Sequence, residues 1–246
     1  MNGLYDIHSH ILPRLDDGAR DMEDTIETLK EAVRQKVRGM IATPHFHPGR
    51  YFTEADQVRE SLKAVQAECR RRELKIRLYP GHECYYYSGL IDDLRAGRAL
   101  TMADSRYVLV EFSPDCLYSY MLQGLEKLWM AGYRPILAHF ERYSCLADRE
   151  KLLNLKQKGV LLQLNLSRLQ EKETFFRKNP WGKLVREGTA DFLATDCHGI
   201  YFRPMDAEKA FPWIKKNLSP ERQKEIFSTN VKKILKNEKW ETTWKS

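Results

Sequence analysis

The sequence predicts an α/β protein with a parallel sheet covered by helices, and three observations lead there. Short apolar runs alternate with amphipathic segments of helical period, the runs are apolar on both faces, and 246 residues suit one domain. That domain is expected to span 1–246.

The predicted strands are Leu4 to His8, Gly39 to Thr43, Lys75 to Tyr79, Tyr107 to Glu111, Arg134 to Ala138, Val160 to Asn165 and Asp191 to Thr195. The first helix is predicted over Met22 to Val37, where Met22, Ile26, Leu29, Val33 and Val37 recur three or four apart behind an acidic first turn. Further helices are predicted over Glu54 to Arg72, Leu117 to Ala131, Arg149 to Lys158, Trp181 to Glu187 and Ala207 to Lys216. Ser219-Pro220-Glu221 reads as an N-cap with proline at the first helical position, and the last helix is expected to end near Lys236. Arg168 to Asn179 reads as a loop or short helix, and Trp240 to Ser246 as a frayed tail. This alternation permits a closed barrel or an open doubly wound sheet.

Composition excludes several function classes. Cys69, Cys84, Cys116, Cys145 and Cys197 form an odd set without a C-x-x-C pair, against a disulfide framework or a thiolate zinc site. No apolar run approaches the roughly 20 residues that span a bilayer, and no basic leader precedes an apolar core, so a cytoplasmic protein is expected. The 41 basic and 34 acidic residues leave +7, but the basic residues read as solvated faces without aromatic stacking patterns, against nucleic-acid binding.

The chemistry collects at strand ends. Asp6, His8 and His10 are two apart, so their side chains share one face of the first strand. The second strand runs into His45, the third into Glu83, the fourth ends at Glu111, the fifth at His139, and the seventh at Asp196 and His198. In parallel α/β folds the C-terminal strand ends meet, so these residues are expected to converge. All seven histidines lie at or beside these positions, which predicts a polynuclear metal site of imidazoles and carboxylates. Glu83 and Glu111 follow apolar strands, where an unpaired carboxylate is costly, and Asp6 reads as a strand-edge cap or, in preference, as a partner that orients a histidine. His47 and His82 are left out as neighbouring loop residues.

With Asp6-Ile-His-Ser-His-Ile-Leu-Pro-Arg-Leu-Asp-Asp17-Gly-Ala, Ala42-Thr-Pro-His45, Gly81-His-Glu83, Ala138-His139-Phe-Glu-Arg142-Tyr and Thr195-Asp196-Cys-His198, the sequence resembles the PHP superfamily. Within it, the chain is similar to bacterial tyrosine phosphatases of capsule and exopolysaccharide loci. The resemblance implies a distorted seven-stranded (β/α)7 TIM-like barrel holding three divalent metal ions, usually manganese, while the imidazole and carboxylate donors by themselves also suit iron, zinc or magnesium. It divides the ligands into His8, His10, Glu83 and Asp196; Glu83 as bridge with Glu111 and His139; and Asp17, His45 and His198. Asp16 is the neighbour most easily confused with Asp17. Arg142 and Arg203 match arginines that grip phosphate, and the implied site charge of about +2 suits a phosphate dianion. The implied substrate is phosphotyrosine on a partner protein, the tail of a bacterial tyrosine kinase. Arg14 departs from the pattern, standing where such phosphatases often have glycine.

Four other readings compete. Cys197 and Arg203 satisfy C-x-x-x-x-x-R, the formula of thiol-dependent phosphatases, although Ile200, Tyr201 and Phe202 are too bulky for a phosphate-cradling loop. The others are a histidinol-phosphate or other small phosphomonoester phosphatase, a PHP-type nuclease, and a non-catalytic phosphopeptide-binding protein.

Overall fold

The computed structural model describes residues 3–170 and 179–240. Residues 171–178 of the expected loop and 241–246 of the expected tail lie outside the described residues. All seven expected strands form, two of them in two pieces, and one short strand, β4, was not expected: β1 (Leu4–Ser9), β2 (Val37–Ala42) continuing into β3 (His45–His47), β4 (Tyr51–Phe52), β5 (Arg77–Pro80) continuing into β6 (Glu83–Tyr85), β7 (Tyr107–Glu111), β8 (Arg134–Leu137), β9 (Leu161–Asn165) and β10 (Phe192–Ala194). The first break falls at Thr43-Pro44, where proline has no N–H for a ladder. The second falls at Gly81-His82, and a Cβ on Gly81 would lie 3.0 Å from Ile41 Cγ2.

The strands make two ladders. One has the order β1-β2-β5, the other β10-β9-β8-β7-β6-β3-β4, and among the described strands only β3 and β4 pair antiparallel. Where a single closed barrel was expected, the seam between β10 and β1 carries one parallel bridge, Ser9 with Cys197, instead of a ladder. It is reinforced by Asp196 N–H donating to His8 O (3.0 Å) and His10 N–H to Cys197 O (2.8 Å). Asp6 clamps the same seam, accepting from Thr195 N (3.1 Å) and Thr195 Oγ1 (2.5 Å). It bonds the backbone N–H of His8 at 3.3 Å and makes no hydrogen bond to an imidazole, which corrects its expected role.

Helices Ala55–Arg71, Tyr118–Met130, Arg149–Gln157 and Pro180–Arg186 lie within a residue of their expected ends. The first helix, Met22–Arg34, stops earlier than expected because Lys36 turns to φ 67 and Val37 opens β2. The expected helix 207–216 is a 3₁₀ turn (Ala207–Ala210) followed by Phe211–Asn217, and the helix Leu90–Arg95 was not foreseen. Ser219 caps as expected, its side chain accepting from Arg222 N. No helix among the described residues is long and apolar enough to cross a membrane.

Two apolar clusters position the strand ends. The larger packs helices against the strands' outer faces. The smaller joins Ile41, Leu109, Ile136, Leu161 and Phe192 from five strands with Val231 and Ile234 of helix Asn230–Leu235. On β7, Tyr107 and Leu109 enter this cluster, so strand alternation places Glu111 on the same face, one step beyond the apolar layer.

Candidate metal centre

Every ligand expected from the sequence reaches one cluster. His8 Nε2 and His10 Nε2 each lie 3.2 Å from Glu83 Oε2 and 3.5 Å from Asp196 Oδ1. His139 Nε2 lies 2.6 Å from Glu83 Oε1 and 3.7 Å from Glu111 Oε2. His45 uses both ring nitrogens: Nδ1 is 3.2 Å from Glu83 and from Glu111, and Nε2 is 3.5 Å from Asp17 Oδ1. His198 Nε2 meets the same Asp17 oxygen at 3.5 Å. These atoms form four overlapping groups able to hold a cation: His10-Asp17-His45-His198, His8-Glu83-His139, His8-His10-Asp196 and His45-Glu83-Glu111.

The residues fit metal ions on two counts. Asp17 Oδ1, His45 Nδ1, Asp196 Oδ1 and His198 Nε2 are buried without a hydrogen-bond partner, an expensive arrangement unless a cation is shared. The electrostatics agree. Burial works to lower the pKa of His8, His10 and His45, yet the facing carboxylates outweigh it and raise all three. Burial likewise works to raise Glu83, but His8, His45 and His139 hold it well below the usual carboxylate range. The cluster thus favours positive charge at its centre.

Residues that the sequence reading missed fix the orientation of the rings. Asp16, set aside in favour of Asp17, accepts from His10 Nδ1 at 2.6 Å and from His45 N at 2.9 Å, leaving His10 Nε2 toward the cluster. Gln163 Oε1 lies 3.0 Å from His8 Nδ1 and accepts from His139 N at 2.9 Å. Asn165 takes the Gln163 amide on one side and donates to Asp196 Oδ2 at 2.9 Å on the other. Such partners set imidazole tautomers and aim the metal-binding nitrogens. Their signal was a Gln-x-Asn pair, period two, on the fully buried β9.

Arg142 and Arg203 stand at the mouth, each with a guanidinium nitrogen on Asp196 Oδ2. Both line a cavity of about 150 Å³ with Asp17, His45, Tyr51, Glu83 and Glu111. His139 (φ 31), Asp196 (φ 55) and Arg203 (φ 45) all adopt left-handed backbone, rare outside glycine and common where a site holds strain. Arg14 has φ 62, which explains why a glycine suits that position.

Two excluded side chains fall outside the cluster for clear reasons. His82 is fully buried, its Nδ1 accepts from Leu100 N at 2.8 Å, and burial depresses its pKa to about 3. Between pH 8 and 5 the unfolded chain binds a proton that folded His82 refuses, so stability falls with pH, by about 2 kcal/mol over that interval. In denaturant titrations, His82→Gln should therefore show a drop from pH 8 to 5 smaller by that amount.

Cys197 is fully buried, and burial pushes its thiol well above the ordinary range, with Asp6 adding to the effect. A nucleophilic cysteine needs the opposite. Cys197→Ser should retain the activity that the resemblance implies within about threefold, whereas loss of a thiolate nucleophile costs several powers of ten.

The fold and donor set define an α/β protein with a candidate polynuclear metal centre at its C-terminal strand ends. The chain belongs to the capsular polysaccharide synthesis CpsB/CapC family, whose model matches residues 4–236. It is 32% identical to the tyrosine-protein phosphatase YwqE of Bacillus subtilis, over 96% of this chain and 92% of that one. It is 29% identical to the tyrosine-protein phosphatase CpsB of Streptococcus agalactiae, over 95% and 99%. A solved chain from the crystal structures of Bacillus subtilis YwqE and Streptococcus pneumoniae CpsB, described as unique metal-dependent tyrosine phosphatases, superimposes with a TM-score of 0.85 at 30% identity, covering 99% of this chain and 100% of that one. A phosphotriesterase homology protein from Escherichia coli shares the fold at TM-score 0.61 and 12% identity, covering 95% and 99%.

Proposed function

We propose that this chain is a metal-dependent protein-tyrosine phosphatase of capsule biosynthesis, a single domain acting on a phosphotyrosine-bearing protein, the tail of a bacterial tyrosine kinase, in the cytoplasm. The observation that carries it is the convergence of nine imidazole and carboxylate side chains beneath two arginines that line one cavity. The names of the relatives supply the reaction and the family supplies the capsule context.

His8, His10, Glu83 and Asp196 would hold one ion, Glu83 with Glu111 and His139 a second, and Asp17, His45 and His198 a third. Manganese is the metal proposed, with iron, zinc and magnesium compatible with the same oxygen and nitrogen donors. Divalent ions, when bound, supply charge for the phosphate oxygens and acidify water for attack on phosphorus. Asp16 and Gln163 hold the Nδ1 protons of His10 and His8 so that both Nε2 atoms face the donors of the cluster. Arg142 and Arg203 offer planar guanidinium forks to the non-bridging phosphate oxygens. Their contact with Asp196 supports this reading, because it sets both guanidinium groups beside a carboxylate of the cluster. The shared apolar cluster and the Ser9–Cys197 bridge support reading both ladders as one distorted seven-stranded barrel of the PHP type.

The test is a panel at equal concentration of phosphotyrosine peptide, phosphoserine peptide, histidinol phosphate and single-stranded DNA. Preferred hydrolysis of the phosphotyrosine peptide is expected. Preference for histidinol phosphate, cleavage of DNA, or peptide binding without turnover would each replace the reading.

A further inference from the structure

We propose that Tyr51 and Phe202 are the two walls of an aryl-binding slot at the mouth of the metal centre, so that the ring of an aryl phosphate is recognised together with its phosphate. The inference rests on the phosphatase reading above and names two residues that would make the site selective for aryl over alkyl esters.

Phe202 is 57% exposed, although it belongs to a loop held from several sides. The buried Asp24 carboxylate accepts from Ile200 N at 2.8 Å and Arg20 N at 3.0 Å, which ties this loop to the segment after β1. Gly199 sits at φ 94, and a Cβ there would meet Asp24 Oδ1 at 2.7 Å. His198 forms an antiparallel bridge with Phe202, and His198 N donates to Arg203 O at 2.9 Å. The backbone is fixed while a large apolar ring is presented to solvent, a combination that marks a contact surface.

The ring's neighbours place it at the mouth. Phe202 meets the His198 ring edge-on, with centroids 6.1 Å apart at 90°. The guanidinium carbon of Arg203, which lines the cavity, lies 5.0 Å from the Phe202 centroid. On the other side Tyr51 also lines the cavity and stacks nearly parallel on His45, at 5.6 Å and 13°. The His45 and His198 rings are 6.4 Å apart, with Asp17 Oδ1 3.5 Å from the Nε2 of each. Tyr51, His45, His198 and Phe202 are therefore linked by successive ring contacts, with Tyr51 at one end and Phe202 at the other.

The chemistry follows from where an ester's two halves must lie. With the phosphate against Arg142 and Arg203, the group that the ester oxygen carries would lie beside Tyr51, which lines the cavity with them, and Phe202, whose ring neighbours the Arg203 guanidinium. A flat phenyl group gains stacking or edge-on contact there, and an alkyl chain offers no comparable face.

Calorimetric binding of phenylphosphonate and methylphosphonate to the metal-loaded protein tests this without turnover. The unsubstituted protein is expected to bind phenylphosphonate at least about tenfold more tightly. Phe202→Ala and Tyr51→Ala should each cut that preference about fivefold or more, and Tyr51→Phe and Phe202→Trp should keep it. Metal content and circular dichroism of each variant establish that the centre and fold are intact. Equal affinity for the two phosphonates, or a preference unchanged in both alanine variants, would overturn the slot. Failure to hydrolyse phenyl phosphate while phenylphosphonate is still preferred would instead overturn the phosphatase reading.

Discussion

Replacing Glu83 by glutamine is expected to lower kcat on a phosphotyrosine peptide by about 10³ or more, equivalent to about 4 kcal/mol of lost transition-state stabilisation. Its two carboxylate oxygens face His8, His10, His45 and His139 at 2.6 to 3.2 Å, so one side chain serves most of the cluster. Glutamine keeps the shape and removes the charge. Four imidazoles are then left with fewer anions, and under the proposed ligand set divalent cations would lose the donor that two of the three ions share. Elemental analysis should show fewer ions per chain in Glu83→Gln than in the parent, while circular dichroism shows the fold retained. A variant with full metal content and activity within tenfold of the parent would show that Glu83 is not the hub.

Chelation followed by desalting should abolish phosphotyrosine hydrolysis and lower Tm by at least about 10 °C, the effect of emptying a single site, both reversed by added manganese. The size of the thermal effect follows from linkage. Free metal at a thousand times Kd stabilises the folded state by about 4 kcal/mol per site, and each kcal/mol moves Tm by about 2–4 °C in a domain of this size. The physical source is the set of buried donors without partners, Asp17 Oδ1, His45 Nδ1, Asp196 Oδ1 and His198 Nε2. Without cations these atoms remain desolvated and unpaired. Activity that survives complete metal removal would contradict this, and differential scanning fluorimetry with atomic absorption reads both parts.

How much of this was legible in the chain depends on the kind of signal. The strands were legible because buried parallel strands read as apolar runs, and all seven are present within a few residues of the expected ends. Their convergence was legible because the topology carries the C-terminal ends of parallel strands to one rim, and imidazoles and carboxylates stand at nearly every one of those ends. What failed is local geometry. Val37 fits the helical period of the preceding residues, but the left-handed turn at Lys36 sends it into β2 instead. Asp6 shares the alternation of His8, yet it lies one residue pair deeper, where Thr195 and the seam claim both of its oxygens. Gln163 and Asn165 escaped notice because amides are common and only their depth on β9 gives them meaning. The contact between β1 and the end of β10 depends largely on backbone bonds, which side-chain patterns do not encode.

The most direct measurement is an anomalous-scattering map from a crystal grown with manganese. Three peaks are predicted: one among His8, His10, Glu83 and Asp196, a second among Glu83, Glu111 and His139, and a third among Asp17, His45 and His198. A map with no ion density between these side chains, in crystals of protein that hydrolyses phosphotyrosine, would contradict the account.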